Sequence, residues 1–132
     1  MNIPADRLRQ QVELILAAWG MPEEYIDQTA TGMIDTDLHG IDSHGVGMLS
    51  AYNNWRKTGG IKFNAPITVV TNLPALALID GGSGLGHPVG VLGMTMAIDK
   101  AKETGIGAVT ARASNHFGAA GFYARIALEH GL

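Results

Sequence analysis

One stretch constrains the fold more than any other: Gly81-Gly82-Ser83-Gly84-Leu85-Gly86-His87-Pro88-Val89-Gly90. Ahead of it, Ile67 to Thr71 and Ala75 to Asp80 are short β-branched or aliphatic runs separated by Asn72-Leu73-Pro74, the texture of two strands. Behind it, Val89, Leu92, Met96 and Ala97 share one helical face, with Asp99, Lys100, Lys102 and Glu103 towards the other, and Gly105 caps the helix. A strand, a glycine turn and a helix N-terminus in this order let backbone N–H groups approach a phosphate or a carboxylate. The apolar run Ile106 to Ala111 has no alternation, which predicts a strand covered on both faces. A loop from Arg112 to Gly118 and a last helix from Ala119 to about His130 complete a strand-helix-strand-helix order, which assigns the α/β class.

The first sixty residues read as helical. Leu8, Val12, Ile15, Leu16 and Trp19 fall on one face, and Gly20 stops that helix. Pro22 can open the next, whose stripe is Ile26, Ala30, Met33, Ile34 and Leu38, ended by Gly40. A further helix places Val46, Leu49 and Tyr52 inward until Gly59-Gly60 breaks it. The expected organisation is a helical segment, 1–60, and the start of an α/β domain, 61–132.

Composition narrows the function classes. The chain is 46% hydrophobic and 16% charged, against about 25% charged in an average soluble domain. That balance suits a protein that buries further surface against a partner or against more sequence. With a net charge of -3 and no Lys/Arg cluster, the electrostatic footprint of a nucleic-acid binder is missing. Without cysteine there is no disulfide, thiolate site or cysteine nucleophile, which fits a reducing compartment. No run approaches the ~20 apolar residues that cross a bilayer, and the expected location is the cytoplasm.

Four places can carry chemistry. The glycine stretch fails the dinucleotide fingerprint, because His87 stands where the third glycine belongs and Arg112 ends the following strand where a ribose-binding acid is needed. Walker A fails for want of Gly-Lys-Ser/Thr. The stretch is therefore either a tight structural turn or a ligand-contacting loop. His116, in Ser114-Asn115-His116-Phe117-Gly118-Ala119-Ala120, lies just past the C-terminal end of a strand, the edge where open α/β sheets bind ligands. Its imidazole titrates near neutral pH, as proton transfer to a carbonyl requires; the plainer reading is a loop histidine bonded to backbone. His44, in Asp42-Ser43-His44-Gly45, sits beside a carboxylate and a hydroxyl that could orient it, although Asp42 or Ser43 could equally cap the next helix. A rival grouping takes His39, Asp42 and His44 as ligands of a zinc hydrolase, with His116 or His87 as a fourth.

Together these segments resemble one family. Asp42-Ser43-His44-Gly45-Val46, then Ile79 to Gly86, then Gly105-Ile106-Gly107 leading to Ser114 through Ala120, are similar in order and spacing to the malate/L-lactate dehydrogenase family, which includes ureidoglycolate, sulfolactate and 2,3-diketogulonate oxidoreductases and cyclic-imine reductases. The resemblance implies a mixed sheet that binds NAD or NADP without a Rossmann fold, a 2-hydroxy or 2-oxo acid substrate, and a homodimer. It implies His116 as the acid/base, with Ser43 and His44 as a relay and proton donor in some relatives. Asn115, Arg112, Ala120 and the position of Met48 would line the substrate, and His116, Ala120, Gly84 and Gly86 the cofactor.

Two departures bear on substrate identity. Many relatives carry an arginine where Met48 stands, to clamp a substrate carboxylate; Arg112 is a candidate replacement. Many also carry glutamine in place of His87, followed by a residue other than Pro88. Family members are much longer, and the chain ends after a helix where another strand is expected, so truncation is expected. The resemblance places a lysine and most cofactor contacts downstream, so negligible dehydrogenase activity is expected of these 132 residues alone. A non-catalytic module for binding or self-association is the alternative.

Overall fold

The computed structural model describes residues 3–132. Three helices come first: α1 (Ala5–Ala18), α2 (Glu23–Leu38) and, after a 3-10 turn at Val46–Met48, α3 (Leu49–Lys57). Then follow β1 (Thr68–Asn72), β2 (Leu76–Gly84), α4 (Gly86–Thr104), β3 (Ala108–Ser114) and α5 (Ala120–Leu128). β2 pairs antiparallel with β1 and parallel with β3, so the three-stranded sheet is mixed, in the order β1-β2-β3. The α/β class and the mixed sheet expected from sequence are both present.

The core forms where the helical stripes meet the start of the sheet. Val12 and Leu16 of α1, Ala30, Met33 and Ile34 of α2, and Tyr52 of α3 pack with Met21, Ile61, Phe63 and Leu85. Burying an aliphatic side chain of this size contributes roughly 1.5–3 kcal/mol, so this cluster fixes α1, α2 and α3 against the start of α4. α2 is covered on more than its apolar stripe: Thr29, Gly32 and Thr36 are buried too, because α4 and α5 pack on the side away from α1. Thr36 meets that burial by donating its hydroxyl to the Gly32 carbonyl at 2.7 Å. The Arg125 guanidinium on α5 pairs with Asp35 on α2, a second tie between the two halves.

Four expectations need correction. Leu38, read as the end of the α2 stripe, is 71% exposed, since the helix has by then passed beyond its neighbours. β2 runs into the glycines as far as Gly84 and α4 opens at Gly86, so the stretch is mostly strand and helix, not a turn. Lys100, assigned to the polar face of α4, is buried, and its amine donates to Asn72 Oδ1 and the Leu73 carbonyl. β3 is not covered on both faces: it is an edge strand, and all its residues but Val109 are exposed.

Candidate active site

The site is built where β3 ends. The Asn115 amide donates from Nδ2 to the carbonyls of Ser83 and Gly84 at 2.9 and 3.1 Å, and its backbone N–H also reaches Gly84 O. The Gly86 N–H, first in α4, donates to the His116 carbonyl at 2.9 Å. These bonds staple residues 114–116 to the end of β2. The pairing of β2 and β3 shifts register between Asp80 and Gly84, and both strands carry non-glycine residues at positive φ there: Ser83 at 67° and Ala113 at 47°. Each such residue costs of order 1–3 kcal/mol and persists only where its surroundings hold it. The strain turns the chain out of the sheet just before His116.

His116 is held through one nitrogen. Tyr52 Oη lies 2.8 Å from His116 Nδ1, and the Gly118 N–H points at the same atom from 3.3 Å. A backbone N–H can only donate, so Nδ1 accepts and the neutral ring carries its proton on Nε2. The Tyr52 hydroxyl can donate to a bare Nδ1 or accept from Nδ1–H, so it holds the ring in either protonation state. Burial, and then the charge of His44, lower the His116 pKa below that of a free imidazole. Tyr52 is fully buried and its pKa is raised by burial, so it stays a neutral phenol.

His44 stands opposite. Its ring centroid is 5.3 Å from that of His116, with the planes 30° apart, and its Nδ1 lies 2.8 Å from Ser43 Oγ. Neither Asp42 nor Ser43 caps the following turn. Asp37, at the end of α2, does so instead, its Oδ2 accepting the Val46 N–H at 3.0 Å. The carboxylate lies so close to Gly45 that a Cβ there would overlap it, and this accounts for a glycine after His44. Trp55 adds a wall, its ring 6.5 Å from that of His116. On the other side a groove of about 600 Å³ runs past Gly86, Val89, Val109, Ser114, Phe117 and Ala120.

Behind the site, His87 is 1% exposed, and neither ring nitrogen has a hydrogen-bond partner. Burial first, and the charge of His116 second, lower its pKa to about 3.

The family model described as malate/L-lactate dehydrogenase matches residues 3–132. The chain belongs to the malate/L-lactate dehydrogenase family. It is 44% identical over 132 residues to a malate dehydrogenase of Pyrococcus horikoshii, all of this chain against 37% of that protein. It is 42% identical over 118 residues to an L-sulfolactate dehydrogenase of Methanocaldococcus jannaschii, covering 89% of this chain and 34% of that one. The solved structure of the Pyrococcus horikoshii malate dehydrogenase superposes with a TM-score of 0.94 over 99% of this chain and 38% of its own length. The chain thus spans well under half the length of the curated relatives it matches.

Within this malate/L-lactate dehydrogenase frame, His116, His44 and Ser43 come together; the Asn115 amide is spent on Ser83 and Gly84, and Ala120 lines the groove with Asn115. The other candidates lie elsewhere. Met48 packs against the hydrophobic core. Arg112 Nε is bound to Asp80 Oδ2 at 2.8 Å on the neighbouring strand, and that bond, after one from the Gly82 N–H, lowers the Asp80 pKa. Gly84 and Gly86 spend their backbone groups inside the fold, and a Cβ at Gly86 would strike the Asn115 carbonyl, so these glycines serve close packing of β2, α4 and the His116 loop. The metal grouping finds no support. His39 Nδ1 lies 2.7 Å from the Asp35 carbonyl, and among the described residues no three His, Asp or Glu side chains converge. No described helix is long and apolar enough to cross a membrane. Tyr52, Trp55 and Asp37 were not foreseen as site residues; only Tyr52 left a signal, a hydroxyl on an inward helix face.

Proposed function

We propose that the protein carrying this chain transfers a hydride between NAD or NADP and a 2-hydroxy or 2-oxo acid of the malate or lactate kind, with His116 as acid/base. The observation that carries this reading is the His116 ring itself, held through Nδ1 by Tyr52 and Gly118 in a half-open site. The relatives' names support the substrate class: malate, L-sulfolactate and, for a protein of Cupriavidus necator, L-lactate dehydrogenase.

The residues present fit a nicotinamide ring beside His116. Ala119, Ala120 and Gly121 are small, and at the start of α5 the Phe122 N–H is taken by the Ala119 carbonyl while those of Ala120 and Gly121 have no backbone partner. They do not fit a pyrophosphate on Gly84 and Gly86, whose polar groups are already bonded. A nicotinamide cofactor supplies or accepts the hydride when bound. The chain's own residues handle the proton. In reduction the doubly protonated His116 gives its Nε2 proton to the substrate oxygen, while Nδ1–H stays on the Tyr52 oxygen. In oxidation the base is the Nδ1–H tautomer that reduction leaves: its bare Nε2 takes the proton while the Tyr52 oxygen accepts from Nδ1–H. The lowered pKa makes the imidazolium a ready donor. Ser43 orients His44, which adds positive charge beside the substrate when protonated.

The whole protein works as a homodimer in the cytoplasm in this reading, with exposed Leu14, Leu38 and Ile106 available for burial against further protein surface. Residues 1–132 alone are expected to have negligible turnover. The test is oxidation of NADH or NADPH by the full-length protein with pyruvate or oxaloacetate. Turnover with a 2-oxo acid supports the reading; none with any 2-oxo acid overturns it.

A further inference from the structure

His87 is the one fully buried imidazole of the described chain, and no step above uses it. Leaving both buried ring nitrogens unpaired is unfavourable, whereas an aliphatic side chain in the same place would carry no such cost. Its position gives the reason. The ring lies in the first turn of α4, walled by α2: a Cβ at Gly32 would come within 3.1 Å of His87 Cδ2. On the opposite side it meets the His116 loop, where a Cβ at Gly118 would come within 2.6 Å of His87 Nε2. Its edge faces Tyr52, ring centroids 6.2 Å apart at 79°. Gly118 has φ 74°, so the close approach and the backbone both exclude a side chain there.

Gly118 and Tyr52 are also the two groups that hold His116 Nδ1. We propose that His87 is a positioning residue for His116: wedged against Gly118 and Tyr52, it fixes which nitrogen of His116 faces the substrate. The proposal deepens the reading of His116 as acid/base and rests on it for its functional meaning. The geometry alone carries the positioning. A planar ring fits the slot between Gly32 and Gly118; a branched aliphatic side chain does not, and an unbranched planar amide does. His87 touches no reacting atom and acts only through Gly118 and Tyr52.

The test is ring-¹⁵N NMR of the full-length protein with labelled histidine, reading the tautomer and pKa of His116 in the parent, His87→Gln and His87→Leu. In the parent, Nδ1 is a hydrogen-bonded acceptor and the pKa lies below the ordinary value. His87→Gln is expected to keep both. His87→Leu is expected to mix the tautomers of His116, with the helical signal unchanged. An unchanged His116 tautomer in a folded His87→Leu protein overturns the proposal and leaves His87 as filling. Should that variant not fold, His87→Ala, which removes the ring from the slot, must give the same change. The spectra do not depend on turnover, so the positioning claim and the acid/base reading fail separately.

Discussion

The phenol oxygen of Tyr52 stands 2.8 Å from Nδ1 of His116, joining α3 to the end of β3 across 64 residues of sequence. Tyr52→Phe removes this hydroxyl and keeps the ring that fills the core. A hydrogen bond to a charged partner is worth roughly 1.5–3 kcal/mol, so turnover of the full-length enzyme should fall about ten- to hundredfold. Thermal unfolding should shift only slightly. A large loss of stability with turnover per folded molecule intact would mean that Tyr52 serves packing alone.

Asp37 and Gly45 form a tight pair that sets the loop bearing His44. Gly45→Ala forces a methyl group onto the Asp37 carboxylate, and overpacking of this kind costs about 1–3 kcal/mol. Asp37→Ala loses the bond to the Val46 N–H but opens the space. The double variant should therefore be destabilised by less than the sum of the two single changes, measured by urea unfolding. Strict additivity would contradict the contact.

These contacts show what the sequence could and could not convey. His116 and His44 were legible because each sits in a short string whose residue types already suggest a proton-handling group. Tyr52 was legible as an inward residue of a helix but not as a partner of His116, because the contact depends on how α3 meets the sheet. Asp37 left no trace: helical periodicity says which face is buried, not which carboxylate reaches a loop nine residues away. The glycine stretch stays ambiguous in sequence for a related reason. Glycines that admit a close backbone and glycines that admit a phosphate look alike in sequence, and here the groups approaching Gly86 are the Asn115 carbonyl and Phe117. The apolar run of β3 reports what the strand tolerates, not which faces these residues cover.

Acid should loosen the fold through His87. Its pKa in the folded state is about 3, below the 6.5 of a free imidazole, so the unfolded chain binds the proton more readily. Its contribution to stability is complete above pH 6.5 and is lost as the pH falls from there towards about 3, at roughly 1.4 kcal/mol per pH unit for one such group. The lowered pKa of His116 acts in the same direction. Urea midpoints measured at pH 7 and pH 5 should therefore differ less in His87→Gln than in the parent. Equal differences would remove His87 as the cause.

Lys100 ties α4 to the turn between β1 and β2 through Asn72 Oδ1 and the Leu73 carbonyl. Lys100→Met keeps most of the apolar stem and removes both hydrogen bonds, whose acceptors on exposed residues can turn to water, a net cost of about 0.5–1.5 kcal/mol. Hydrogen exchange at residues 68–76 should quicken in the variant. No change there would show the tie to be slack.

The most direct measurement compares His116→Ala and His44→Ala in the full-length protein, reading NAD(P)H turnover with a 2-oxo acid alongside cofactor binding by fluorescence. Loss of the acid/base is expected to lower turnover in His116→Ala by ~100-fold or more, with cofactor binding retained and a smaller loss in His44→Ala. Unchanged turnover in His116→Ala, with the large loss in His44→Ala, would contradict the assignment and move the proton transfer to His44.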